Sequence, residues 1–225
     1  YRIFLSRTIG AEGIGIYQMI FPVHALLLAL SVSGIQTAIS RFVSARSATG
    51  DEQGAKEILL CGSFLSVVCS VAVSAILYNK ASFISLYFLH EVRCTALLQI
   101  LSFSLPFSAI HACIIGYYTG LIKASVPAIS QLIEQLVRVA SSFLYVQIFT
   151  EKGITLSPVI ALLGILTSEI AAVLYTVTRF LLHHAAKKHL AWHFSFQSIR
   201  EILSFSLPLN VNRVCLTLFQ SAESI

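Results

Sequence analysis

Residues 95–122 read TALLQILSFSLPFSAIHACIIGYYTGLI, a stretch without a single Asp, Glu, Lys or Arg. A helix needs about 20 apolar residues to cross a hydrocarbon core about 30 Å thick, so this stretch is long enough to span one. Residues 16–40 and 58–79 are free of charge in the same way, and 126–149, 157–178 and 202–225 carry one or two charges each. The composition agrees: 56% of the 225 residues are hydrophobic and 11% charged, and the mean hydropathy is +0.83. Soluble domains carry about a quarter charged residues. The sequence therefore predicts an all-α, polytopic membrane bundle of six crossing helices.

The net charge of +5 is read through loop placement rather than as a nucleic-acid signal, because Lys and Arg concentrate on the cytoplasmic side of membrane proteins. One set of alternate loops holds Arg41, Arg46, Lys56, Lys123, Arg179, Lys187, Lys188 and Arg200; the other holds Arg2, Arg7, Lys80, Arg93 and Lys152. The richer set is assigned to the cytoplasm. The chain opens without Met or a signal peptide and ends inside an apolar stretch, so it reads as a piece of a longer protein. Its five cysteines are odd in number. Cys61, Cys69, Cys113 and Cys215 fall within spans and Cys94 at a span edge, as expected of apolar packing residues rather than a disulfide framework.

Connections are expected at the glycine-rich opening 7–17, at 41–57, which mixes both signs of charge, and at 80–93, where Phe83, Leu86, Tyr87 and Phe88 suit the membrane interface. Residues 181–196 suit a segment lying along the headgroups. Their His183, His184, His189 and His193 lack the Cys or carboxylate that would complete a metal set. The heptapeptide ILSFSLP at 100–106 recurs at 202–208. Internal repeats of this kind are common in transporters. Pro22, Pro106 and Pro208 fall inside or near spans, where a neighbouring group must satisfy the carbonyl each proline frees.

Ionisable groups within a span cost about 2.5–3.5 kcal/mol on insertion scales, so each one is a functional candidate. At about 100° per residue, Gln131, Glu134, Gln135, Arg138, Ser142 and Tyr145 share one face of the fourth span, with Glu134 and Arg138 spaced to neutralise each other. Ser206, Asn210, Arg213, Thr217, Gln220 and Ser224 share an arc of about 80° on the sixth. Both stripes are expected to look inward, as interhelical contacts or as the walls of a cavity whose arginines attract an anionic group such as a phosphate. Glu169 is open between helix contact and ion coupling; His24 and His111 are expected to be packing residues. There is no GxSxG elbow, no phosphate-binding GxxxxGK[ST] loop and no HExxH. No enzyme, cofactor or metal assignment follows.

Four segments, SRTIGAEGIGIYQ (6–18), GIQTAISR (34–41), SQLIEQLVR (130–138) and LPLN (207–210), resemble the polysaccharide-transporter and lipid-flippase family of the multidrug/oligosaccharidyl-lipid/polysaccharide exporter superfamily, in its stage V sporulation protein B-like branch. The resemblance implies a MATE-like fold of two six-helix lobes around a central cavity, working by alternating access. On that map, 1–198 are most of the first lobe, its first helix largely missing, and 199–225 begin the second. The implied substrate is a polyprenyl-diphosphate-linked saccharide, a lipid II-like or polysaccharide precursor, moved across the cytoplasmic membrane in cell-wall or spore-cortex peptidoglycan synthesis. Membrane lipids and a coupling ion are the other partners it implies.

Within that frame, Arg138 and Arg213 are the expected diphosphate contacts, with Glu134 orienting Arg138. Gln131, Asn210 and Gln220 would meet sugar or phosphate oxygens, and Arg41, at the cytoplasmic end of its helix, would make an entry contact. A multidrug/cation antiporter of the same superfamily, a membrane enzyme of polyprenyl-phosphate metabolism and a non-transporting scaffold of wall synthesis are the rival readings. Embedded arginines disfavour the antiporter, and the lack of a carboxylate or histidine cluster at one membrane face disfavours the enzyme.

Overall fold

The structure, a computed structural model, describes residues 2–152, 157–185 and 195–223. Its described residues form α1 (Arg2–Leu28), a π-helical turn (Ala29–Ser33), α2 (Gly34–Ala48), α3 (Glu52–Tyr87), α4 (Cys94–Gly120), α5 (Ser125–Glu151), α6 (Val159–Ala185) and α7 (Phe196–Glu223). The π turn joins α1 and α2 into one rod, so six rods correspond to the six expected spans. Five are long and apolar enough to cross a membrane: Phe4–Ala48, Glu52–Tyr87, Cys94–Gly120, Ser125–Glu151 and Val159–His183. The sixth, α7, is helical but is not among those five, and it carries Arg200, Glu201, Arg213 and Glu223. The chain is an all-α, multi-pass membrane protein.

The connections are shorter than the sequence suggested. The glycine-rich opening is mostly helical and breaks at Gly10, whose φ of 73° lies where glycine is favoured. The expected loop 41–57 shrinks to 49–51, because α2 runs on to Ala48 and Asp51 starts α3. The Asp51 carboxylate accepts from the Gly54 N–H at 2.9 Å and pairs with Arg46 at 3.0 Å. Those two contacts hold its pKa below the ordinary carboxylate value. The expected loop 80–93 shrinks to 88–93, since α3 continues through Tyr87. Phe83 and Tyr87, spaced i,i+4, stack with centroids 4.7 Å apart and support that extra turn. The interfacial connection 181–196 falls mostly on residues 186–194, which lie outside the described ones.

The rods alternate in direction. At one end Arg93 pairs with Glu12 at 2.8 Å; at the other Lys123 meets the His183 ring at 2.8 Å. Packing is closest where small residues face backbone. Gly116 and Gly120, a GxxxG pair the sequence reading passed over, let α4 approach α2 so nearly that a Cβ would lie 2.7 Å from Gln36 O and 2.6 Å from Ser40 O. Such contacts drive helix association in lipid, where hydrophobicity supplies no force between helices. Pro106 cannot donate to Ser102 O one turn earlier, and Ser74 Oγ of α3 donates to that carbonyl at 2.6 Å instead. The heptapeptide repeat extends to side-chain bonding: Ser104 donates to Leu101 O and Ser206, its counterpart, to Leu203 O.

Two apolar layers fill the bundle. One gathers Ile16, Ile20, Leu77, Leu98, Leu101 and Leu105; the other gathers Ile35, Ile39, Val43, Ile58, Cys113 and Tyr118. On α4, Leu105 belongs to the first and Cys113 to the second, so Ser108 and His111 fall between them. All five cysteines are free thiols; Cys61, Cys94 and Cys113 are buried, in keeping with packing roles, whereas Cys69 is half-buried and Cys215 exposed.

Candidate functional site

The layer between the two apolar cores is polar, and it is assembled from four helices. Arg138 and Glu134 of α5 form the expected i,i+4 ion pair, their side chains 19% and 17% exposed. Arg138 Nε also donates to Ser168 Oγ of α6 at 3.4 Å, and Ser168 is held by its own bond to Ile165 O at 2.8 Å. Ser142, a turn further along α5, is buried where Gly164 of α6 leaves room for its hydroxyl. This half of the α5 stripe therefore points into the bundle. Gln131 and Gln135, on the same stripe, are exposed.

From α4, His111 reaches both neighbours. Its Nε2 is 2.7 Å from Ser130 Oγ of α5, and its Nδ1 is 3.6 Å from Glu169 Oε2 of α6. Sequence reasoning placed His111 as packing and left Glu169 undecided; the pairing joins helices far apart in sequence, and the only signal available was a lone carboxylate in need of a partner. His24 of α1 is buried and within electrostatic reach of Glu169 and Arg138. Ser33, Gln36, Ser108, His111 and Glu169 contribute to the wall of a cavity of about 190 Å³.

The α7 stripe meets different neighbours. Asn210 Oδ1 accepts from Gly34 N–H at 2.7 Å, and Asn210 Nδ2 donates to Leu30 O at 3.3 Å. In a regular α-helix those two backbone groups would bond to each other, i to i−4. The π turn separates them, and the Asn210 amide bridges the gap. Gly34 is required there: a Cβ would collide with Asn210 Oδ1 and come within 2.6 Å of Ser206 O. Ser206 is buried at the same seam, whereas Arg213 is exposed. Gln220 belongs to α7, but its side chain and Ser224 lie outside the described residues.

Arg41 lies inside α2, which runs on to Ala48, rather than at the end of its helix as expected; it is exposed, with its guanidinium carbon 4.3 Å from the centre of the Phe205 ring. Beside it, α7 together with Phe42 of α2 forms an open groove of about 800 Å³ lined by Phe42, Gln197, Arg200, Glu201, Ser204 and Phe205, among others. The structure thus unites Glu134 with Arg138, and Arg41 and Asn210 with the α2–α7 seam. It does not unite the two stripes: α5 packs on α6, while α7 packs on α2 and the π turn.

A bundle of long apolar helices that seals a charged layer between two apolar ones, and opens an arginine-flanked groove on one seam, is the architecture of a multi-pass membrane protein with buried polar machinery. The chain belongs to the family described as "Polysaccharide biosynthesis protein", which matches residues 1–225. It is 30% identical to Stage V sporulation protein B of Bacillus subtilis (strain 168) over 216 residues, 94% of this chain and 42% of that one. It is 26% identical to Lipid II flippase MurJ of the same organism over 161 residues, 66% of this chain and 30% of that one. Sporulation protein YkvU, also of B. subtilis, is 20% identical over 214 residues, 93% of this chain and 46% of that one. The chain thus spans less than half the length of these relatives. No solved structure matches it significantly.

Proposed function

We propose that the protein moves a polyprenyl-diphosphate-linked saccharide across the cell membrane by alternating access, in cell-wall or spore-cortex peptidoglycan synthesis. In this reading residues 1–198 are most of the first lobe and 199–225 begin the second, the boundary falling in the first turn of α7. The observation that carries it is the α2–α7 groove. Its wall combines aromatic surface from Phe42 and Phe205 with the charged pair of residues Arg200 and Glu201, and Arg41, the further guanidinium, stands at its rim over the Phe205 ring. A lipid-linked diphosphate needs that combination: guanidinium groups to replace headgroup water around the phosphates, and apolar surface for the chain behind them. Arg213 lies exposed further along α7, on the face it shares with Asn210 rather than on the groove's. Arg41 and Arg213 are the diphosphate contacts in this proposal, and Gln131 and Gln220 are left to meet sugar oxygens. Arg138, held by Glu134 and Ser168, keeps a diphosphate role only when that pairing opens, and Asn210 keeps a substrate role only when the π turn releases its amide. The names of the relatives, a lipid II flippase and a sporulation protein, support the same reading.

The buried carboxylates Glu134 and Glu169 favour one second reading, a cation-coupled drug antiporter of the same superfamily. The experiment is leaflet translocation of a fluorescent polyprenyl-diphosphate saccharide in proteoliposomes containing the full-length protein, with Arg41→Ala and Arg213→Ala variants alongside. Translocation by the parent that both variants slow supports the proposal. Absence of translocation by correctly inserted parent protein overturns it, and ethidium efflux by the same vesicles would establish the antiporter in its place.

A further inference from the structure

The charged layer inside the first lobe is one positive charge short. Arg138 faces it from α5 with Glu134, Glu169 faces it from α6, and the histidines His24 and His111 face it from α1 and α4. The π turn and α2 bring no charge to the cavity, only Val32, Ser33 and Gln36. Arg138 is the single permanent cation among these groups, and it stands against two carboxylates. A net charge held between two apolar layers is strongly disfavoured. Something must balance it.

The unbalanced group is Glu169. It is 8% exposed, and its Oε2 has no hydrogen-bond partner among the described residues, as is true of Ser108 Oγ and His24 Nε2 nearby. Glu134 is already met by Arg138, whereas Glu169 Oε2 lies 3.6 Å from His111 Nδ1, an approach too long for a hydrogen bond. The cavity of about 190 Å³ beside it, apolar over much of its wall but edged by Ser33, Gln36, Ser108 and His111, is roomy enough for water to deliver a proton. A metal ion fits less well, because no group of three or more His, Cys, Asp or Glu side chains among the described residues is arranged to hold one.

We propose that Glu169 is an exchangeable-proton site inside the first lobe, with His111 as its positioning partner. A proton from bulk water binds Oε2 and neutralises the layer; its departure leaves the carboxylate facing the imidazole, with the bond from His111 to Ser130 fixing the ring. Release of that proton is the event able to change how α4 and α6 pack, since it switches the layer between neutral and charged. As a coupling device the site rests on the transport reading above; as a proton site it does not.

The test is pH-difference infrared spectroscopy of the full-length protein in nanodiscs, with no substrate present. A carboxylic-acid carbonyl band should appear on acidification. Glu169→Gln should abolish that band, Glu169→Asp should change its frequency, and His111→Gln should alter its response to pH. The absence of any titrating carboxyl band in the parent overturns the proposal without recourse to a variant. It is overturned equally by a band that Glu169→Asp leaves unmoved, or by one that sodium displaces at constant pH. Loss of translocation with the band intact would sink the transport reading and leave the proton site standing; flipping without the band would do the reverse.

Discussion

Helices α5 and α7 each carry an arginine on a polar face, and the two arginines live in opposite circumstances. Arg138 is held against Glu134 and Ser168 inside the bundle. Arg213 lies exposed on α7, three residues past an asparagine that bonds to the backbone of the π turn. Periodicity makes the two stripes look alike, because it reports which residues share a face and not what that face meets. One stripe neutralises charge within the protein. The other divides between repairing a broken backbone and presenting a cation outward, and that division marks α7 as the helix with polar groups left for a ligand.

The difference can be broken most forcefully at Arg138. Arg138→Ala leaves Glu134 and Glu169 buried with no permanent counter-charge, and removing one partner of a buried pair costs about 3–5 kcal/mol. Unfolding of the full-length protein in bicelles should show a loss of that size. A loss under 1 kcal/mol would mean that α5 faces water and that the two stripes are equivalent after all. Asn210→Ala comes next. It leaves Leu30 O and Gly34 N–H without their bridge, at about 1–3 kcal/mol. Gly34→Ala should cost a similar amount by expelling the same amide, and the double variant should cost much less than the sum, since both changes remove one interaction. Additive losses would show that Asn210 does not clamp the π turn.

Much of this arrangement was legible beforehand, and the parts that were not share a cause. Charge-free length located the rods, and i,i+4 spacing located the Glu134–Arg138 pair, because both depend on residues within one helix. The role of Asn210 depends on Leu30 and Gly34, some 176 to 180 residues away, and on a π turn that no local motif announces. Glu169 looked solitary for the same reason: its partner His111 is on another helix. Helix ends were misjudged at 41–57 and 80–93, where polar residues were read as loop although α2 and α3 carry them at their ends. There, side-chain contacts such as Phe83 with Tyr87 outweighed polarity.

A smaller effect distinguishes the two ends of the α2–α7 seam. Phe205→Ala removes the ring beneath Arg41, an exposed cation–π contact worth about 0.5–1 kcal/mol. If Arg41 is a ligand contact placed by that ring, Phe205→Leu, which keeps apolar bulk, should still slow translocation in proteoliposomes. Equal rates for Phe205→Leu and parent would show that Arg41 needs no such placement.

The least effect on folding is expected at Arg213, and it is the most informative about function. No side-chain partner holds its guanidinium among the described residues, and an exposed substitution of this kind changes stability by no more than about 0.5 kcal/mol. Arg213→Ala should therefore unfold with the parent while translocating a lipid-linked diphosphate about tenfold more slowly, the loss of one charge-assisted contact. Arg213→Lys should recover part of the rate, because an ammonium keeps the charge and gives up the bidentate fork. A variant that is destabilised in proportion to its loss of transport would make Arg213 a structural residue like Arg138, and the contrast between the two stripes would disappear.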